Sequence, residues 1–428
     1  MLNHQYLEFS DAGESVPDRF SELEENAFWS SHDECELRVH RIHAYPAKFP
    51  AFITTKALEF AEKSGVKVRT IGDVFCGCGT VAFEARRNGI NFWGCDINPV
   101  ATLIATVKSN SYSQEKLESY YKRIMARFPR AKSSVKLADT AAERLDYWYS
   151  KAQAQDLARL LNAITYCVPS GSAYRKFFLC AFSNILKPTS RWLTKSIKPQ
   201  VDPHKKPIRV KDAFTEQVGQ MSKAWGQVRF PPKGSVQIVT GNVLELVPPT
   251  KIDMLVTSPP YVTSYEYADL HQLSSLWLGF ASDYRDLRRG SIGSTQHELD
   301  FNRGIKRLNK VGAQVVFSLF DRDRGIARST AKYFLDMQSV AGHCFHLLGR
   351  RGLAVFVIGN TEYKGVRVEN AAHLTESLLA SGFARVKVAK RRMSGKILTP
   401  YRDKIGQFSR SSAGRHVYAE EFVLIASK

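Results

Sequence analysis

No run in the 428-residue chain approaches the roughly 18 consecutive apolar side chains that a membrane-spanning helix requires. Residues Met1 to Ser15 carry Glu8, Asp11 and Glu14 where an export signal would place lysine and an apolar stretch, so a soluble, intracellular chain is expected. The seven cysteines (Cys35, Cys76, Cys78, Cys95, Cys167, Cys180, Cys344) form no Cys-x-x-Cys pair and have no histidine-rich companion, which gives a zinc site or a disulfide framework little support. No internal repeat is visible. Acidic residues are also scarce: 41 Asp and Glu stand against 61 Lys and Arg, a net charge of +20. That balance suits a polyanionic partner without naming one. With 44% hydrophobic residues the chain can bury a large core, and disorder throughout is ruled out.

The charge is unevenly spread. Residues 1–40 hold ten Asp/Glu against Arg19 and Arg38, a net of −8, and this acidic leader is expected to keep away from nucleic acid. Residues 101–235 hold 24 Lys/Arg against nine Asp/Glu, so +15 sits there. A second basic region, Arg385 to Arg415, has ten Lys/Arg against Asp403 alone.

Short apolar runs bounded by turn residues predict buried parallel strands at Thr70 to Phe75, Asn91 to Cys95, Val236 to Thr240, Ile252 to Val256 and Leu353 to Ile358. Helical sequence at Val81 to Asn88, Glu115 to Phe128 and Ala371 to Ala380 alternates with them. The pattern is that of an α/β doubly wound, mainly parallel sheet. Ala384 to Val388 and Glu421 to Ile425 predict an antiparallel hairpin at the sheet edge. Two regions interrupt the alternation. The first, near 109–233, starts helix-like and contains the Pro- and Lys-rich stretch Lys195 to Pro207, which cannot be regular helix or central strand. It far exceeds the about 2 to 6 residues usual for a βα loop. The second covers about 265–332. The expected organisation is an acidic leader 1–40, a catalytic domain of 41–108 with 234–428, and two insertions, 109–233 (largely helical) and 265–332.

Asp73-Val-Phe-Cys-Gly-Cys-Gly79 lies between a predicted strand and a predicted helix, where glycines let the backbone turn tightly against a nucleotide-like ligand. With Ala82 the spacing also satisfies G-x-G-x-x-[G/A], and Asp96 ends the next strand where a carboxylate accepts from ribose hydroxyls. These residues alone leave a structural turn and a nicotinamide site open. The wider block, Asp73 and Phe75 with Gly94-Cys-Asp-Ile-Asn-Pro99, resembles motifs I and II of AdoMet-dependent methyltransferases. Upstream, Arg41-Ile-His-Ala-Tyr-Pro-Ala-Lys-Phe-Pro50 resembles the segment that DNA amino-methyltransferases place ahead of the glycine loop. The resemblance implies AdoMet as cofactor, bordered by Tyr45, Lys48, Phe49, Asp73, Phe75, Cys76, Gly77, Gly79, Asp96, Ile97 and Asn242. At Asn242 related sequences often carry Asp.

Asp253-Met-Leu-Val-Thr-Ser-Pro-Pro-Tyr261 ends a buried strand in two prolines, which fix φ and withdraw two N–H donors. The corner is stiff and presents carbonyl oxygens where open α/β sheets bind ligands. Ser258-Pro259-Pro260-Tyr261 matches motif IV of the DNA amino-methyltransferases, of the Ser-Pro-Pro-Tyr type, and the blocks that resemble the family are scattered over Arg41 to Ala426. The resemblance implies that Ser258 and a proline carbonyl hold the two hydrogens of an exocyclic amine while Tyr261 stacks on the extruded base. Ser in the first position is commoner among N4-cytosine enzymes than among N6-adenine enzymes, although a hydroxyl accepts from either amine.

The partners implied are double-stranded DNA and a cognate restriction or defence component, in a cytoplasmic, nucleoid-associated prokaryotic setting. The 109–233 insertion is expected to recognise the target, on charge density and on interleaved aromatics (Tyr147, Trp148, Tyr149, Tyr174, Trp192, Trp225). The 265–332 insertion is a second expected contact. An RNA amino-methyltransferase, in which similar Pro-Pro-Tyr loops occur, and a catalytically silent DNA-binding protein are the competing readings.

Overall fold

The computed structural model describes residues 20–30, 36–46, 48–196, 198–262, 267–293, 301–392, 401–402, 408–409 and 421–428. Seven strands form the main sheet: β1 (Thr70–Asp73), β2 (Asn91–Asp96), β3 (Val236–Thr240), β4 (Ile252–Thr257), β5 (Leu348–Gly359), β6 (Arg385–Arg391) and β7 (Glu421–Ser427). Their spatial order is β3-β2-β1-β4-β5-β7-β6. Only β7 runs against its neighbours, pairing antiparallel with β5 (Val423 opposite Val357) and with β6 (Val423 opposite Ala389). The closing pair is therefore antiparallel as expected, but the last strand enters the sheet and β6 forms the edge.

Strand β5 shows why this sequence makes a two-faced sheet. Ala354, Phe356 and Ile358 join one core while Leu353, Val355 and Val357 join the other, the period of two that pleating imposes. Helices α1 (Ala51–Lys63) and α2 (Thr80–Arg87) cover the second face. Helix α3 (Pro99–Lys108) follows β2, opened by Asn98 as N-cap and Pro99 in the first turn, a favoured helix start.

The chain then leaves the sheet for α4 (Gln114–Arg127), α5 (Asp139–Trp148), α6 (Lys151–Cys167), α7 (Ala173–Ile185) and α8 (Val210–Gly226). These helices share one apolar cluster with Val100 and Ile104 of α3, so the insertion is a helical layer fused to the sheet. The described residues of 195–207 form neither helix nor ladder strand, and Val201 makes an isolated bridge to Trp192. Four of the six interleaved aromatics are core residues: Trp148, Tyr149, Trp192 and Trp225 are buried. The expectation that they mark a nucleic-acid surface is corrected, since these four rings fill the layer's interior. Tyr147 is half exposed.

In the second interruption, α9 (Gln272–Trp277) joins that same cluster, and Gln272 Oε1 accepts from Arg144 Nε (2.7 Å) and Trp148 Nε1 (3.1 Å). The two interruptions thus touch. Helices α10 (Lys310–Phe320), α11 (Arg324–Leu347) and α12 (Asn370–Ala380) cover the first face of the sheet. Part of the acidic leader serves the fold itself. Asn26 N donates to Lys390 O (2.8 Å) along β6, and Trp29 is fully buried beside Phe60 of α1. It blunts an otherwise open sheet edge. Among the described residues no helix is long and apolar enough to cross a membrane.

Candidate active site

Strand order reverses between β1 and β4, the switch point where doubly wound sheets open a crevice at their carboxyl ends. Asp73 ends β1 and Thr257 ends β4, and Thr257 Oγ1 donates to Asp73 Oδ1 at 2.6 Å across the opening. The same oxygen accepts from Phe75 N (3.1 Å), which starts the glycine turn. Gly77 adopts φ +46°, and its N–H donates to Asp96 Oδ2 at 2.9 Å. Asp96 Oδ1 accepts from Asn98 N at 2.8 Å. Burial pushes Asp96 up to about 6 and Asp73 up to about 7, in each case against the lowering effect of the hydrogen bonds they accept.

Around this turn lies a cavity of about 340 Å³, within the roughly 300–1,000 Å³ of small-molecule sites. Asp73, Phe75, Cys76, Gly77, Asp96, Ile97 and Asn242 line it, together with Tyr45, Lys48 and Phe49 from the upstream segment. Gly79 does not. It caps α2 at φ +75°, and a Cβ there would meet Ala105 Cβ at 2.5 Å, so close packing of α2 on α3 requires that glycine. Tyr45 stacks on His271 (centroids 5.1 Å apart, planes 21°) and sits over Gly77, where an added Cβ would lie 3.6 Å from its ring. Lys48 Nζ is held by Glu36 (2.5 Å) and by the His40 carbonyl (3.1 Å). Asn242 Oδ1 accepts from Leu244 N (3.1 Å).

Residues of this turn suit AdoMet on one physical ground. An ionised carboxylate offers about four lone-pair positions, and Asp96 uses two on backbone N–H groups. Acceptor capacity for ribose hydroxyls is left at the cavity wall.

Opposite the turn, Ser258, Pro260 and Tyr261 line the same cavity, while Pro259 is buried behind it. Ser258 Oγ donates to Val357 O of β5 at 2.9 Å. Its single proton is thereby committed, and the oxygen can only accept from a further partner. Pro260 O accepts from Tyr333 OH of α11 at 2.8 Å. Tyr261 OH donates to Glu421 Oε1 at 2.9 Å, and Glu421 is ion-paired to Arg391 at 3.1 Å, both side chains being 3% exposed.

Tyr333 escapes a reading of the sequence because a tyrosine on the apolar face of a helix is usually core. The cavity is also closed by Leu287 and Gly290 to Gly293 of the second interruption, together with Ile326 and Ser329 of α11. A Cβ on Gly290 would lie 3.2 Å from Ile97 Cδ1, so this segment packs directly on the cofactor side. Asn98 has a readable signal, an Asn before Pro at a strand end. His271, whose Nδ1 accepts from Asn98 Nδ2 (2.9 Å), has none.

No family model matches the chain. It is 22% identical over 366 residues to the Type II methyltransferase M.MvaI of Kocuria varians, an alignment spanning 79% of this chain and 80% of that protein. Among solved structures, the rRNA methyltransferase aviRa from Streptomyces viridochromogenes superposes over 92% of this chain and 90% of its own, with a TM-score of 0.30 and 9% identity, a likeness too loose to bear weight. With its doubly wound sheet, its glycine turn and carboxylate at the switch point, and a methyltransferase as relative over most of its length, the chain is an AdoMet-dependent methyltransferase.

Proposed function

We propose that this methyltransferase acts on double-stranded DNA, methylating the exocyclic amine of a flipped base, N4 of cytosine. The observation that carries the reading is the Ser258 to Tyr261 corner, where a hydroxyl with its proton already committed to Val357 stands on the wall shared with Gly77 and Asp96. An exocyclic amine is a weak nucleophile because its lone pair is delocalised into the ring. Two acceptors, the Ser258 oxygen and a proline carbonyl, hold its hydrogens and let the nitrogen pyramidalise. Bound at the glycine turn, AdoMet supplies a methyl on a sulfonium sulfur, an electrophile that is already activated. What the chain adds is orientation and partial charge stabilisation. Tyr261, fixed by Glu421, offers the flat face on which an extruded base stacks.

Ser at the head of the tetrad follows the N4-cytosine preference of the family it resembles; adenine N6 is the second reading, because the hydroxyl accepts from either amine. The +15 surplus of residues 101–235 supports the helical insertion (109–233) as target-recognition region, with 265–332 as a second DNA contact. The relative bears a Type II name, in keeping with site-specific methylation beside a cognate restriction or defence component. The test is expression in a host without DNA methylation, followed by modification-sensitive sequencing. N4-methylcytosine in one short motif is expected. N6-methyladenine would transfer the assignment to the second reading, and methyl groups found on RNA alone would overturn it.

A further inference from the structure

Two amides of the inserted helical layer close a ring of hydrogen bonds on the segment that carries Tyr45. Ala44 N donates to Asn184 Oδ1 (2.9 Å), Asn184 Nδ2 donates to Gln217 Oε1 (2.6 Å), and Gln217 Nε2 donates to Ile42 O (2.7 Å). Asn184 is on α7 and Gln217 on α8. The direction of the ring is determined at both ends: a backbone N–H can only donate and a carbonyl can only accept, so each amide has one permitted orientation. Beside it, His43 Nε2 lies 2.9 Å from Ser183 Oγ of α7, and Ser183 Oγ lies 2.7 Å from Ser274 Oγ of α9. Burial, and next to it the neighbouring His271, push His43 down to about 3, so this ring is neutral throughout the physiological range. Tyr45 follows at once, over Gly77 and against His271.

We infer that Asn184 and Gln217 are positioning residues for the cofactor: through the backbone of residues 42–44 they set the height of Tyr45 over the glycine turn, so the insertion expected to recognise the target also braces one wall of the AdoMet pocket from behind. The clamp acts on cofactor affinity, whichever base is methylated. Neither residue touches the cavity, and both act through Tyr45.

The test is Asn184→Asp. The replacement keeps size and the acceptor for Ala44 but turns a second acceptor on Gln217 Oε1; rotating Gln217 only moves the clash to Ile42 O. Calorimetric binding of S-adenosylhomocysteine to the full chain should weaken about tenfold, the factor for one buried hydrogen bond with its partner left unsatisfied. The AdoMet KM should rise in proportion while kcat holds. Gln217→Glu should do the same. Unchanged affinity in Asn184→Asp, where Asp96→Asn does lose affinity, overturns the clamp and leaves the cofactor site standing; unchanged affinity in both overturns the site. Should Asn184→Asp melt well below the parent, amide exchange in the unaltered protein decides. Ala44 N–H is expected to be protected about 100-fold, the mark of a bonded amide that opens rarely, and exchange at the unprotected rate overturns the clamp.

Discussion

The glycine turn and the proline corner face each other across one cavity, yet they are held by different kinds of partner. The turn is local: Phe75, Gly77 and Asn98 donate backbone N–H groups to Asp73 and Asp96, all within residues 73–98. The corner is held from afar: Ser258 by Val357, Pro260 by Tyr333, Tyr261 by Glu421, and Thr257 by Asp73, partners 73 to 184 positions away in sequence. A locally built site depends on what its own residues are; a site pinned from four elements depends on the whole fold being in register.

The largest effect should come from removing the group that no neighbour can replace. Tyr261→Ala is expected to lower kcat by about 100-fold, the upper range for loss of one aromatic stack on a base. Affinity for S-adenosylhomocysteine should stay within about twofold in the same variant, because the cofactor residues lie on the other side of the cavity. Equal loss of both in calorimetry and single-turnover assays would refute the division of labour between turn and corner.

The turn should break through Asp96, and through pH. Because burial raises its carboxyl to about 6, the folded protein takes up a proton as pH falls through that value. Protonation halves the acceptors available to ribose hydroxyls, so S-adenosylhomocysteine affinity should fall as pH drops through about 6, below any step from Asp73, which titrates near 7. For the unliganded fold the sign is opposite. A carboxyl raised from 3.8 contributes stability that is complete below about pH 4 and is lost as pH rises through about 6, so the ligand should raise the melting temperature more at pH 8 than at pH 5. Asp96→Asn should cost about 30-fold in affinity at pH 8, the scale of a bond to a charged group, and should erase the step. A step that survives in the variant would assign it to another group.

The same contrast explains what the sequence reveals. The inner parallel strands stand out because a strand buried on both faces is a continuous apolar run, whereas β3, expected to be buried, is the sheet's edge strand with Gln237 and Thr240 exposed; the glycine turn and the Ser258 to Tyr261 tetrad stand out because their constraints are written in neighbouring residues. Of the site residues that the sequence points to, only Gly79 and Pro259 lie off the cavity wall. Gly79 serves helix packing, a need indistinguishable in sequence from close approach to a ligand. The supports Tyr333, Glu421, His271 and Asn184 carry no local signature, since a tyrosine in a helix or a glutamate opening a strand is ordinary until tertiary structure sets its partner. For the same reason the helical insertion's aromatics read as surface: charge density is visible in sequence, whereas which helix face turns inward depends on the other four helices.

The smallest effect should be the most diagnostic of a corner pinned from outside. Tyr261→Phe keeps the ring and removes the bond to Glu421, and about a fivefold fall in kcat is expected, the worth of one hydrogen bond used for orientation. Glu421→Gln should lower kcat by a similar factor because an amide oxygen unbalanced by the Arg391 charge pair holds the phenol less firmly. Combined, the two should lose no more activity than either alone, since the second substitution has no bond left to weaken. Stability should behave otherwise: leaving buried Arg391 without its anion destabilises the edge of the sheet in both backgrounds alike. Additive losses in kcat would mean that Glu421 acts on the reaction by a route other than Tyr261, and the corner would then owe its geometry to the prolines and to the bonds with Val357, Tyr333 and Asp73.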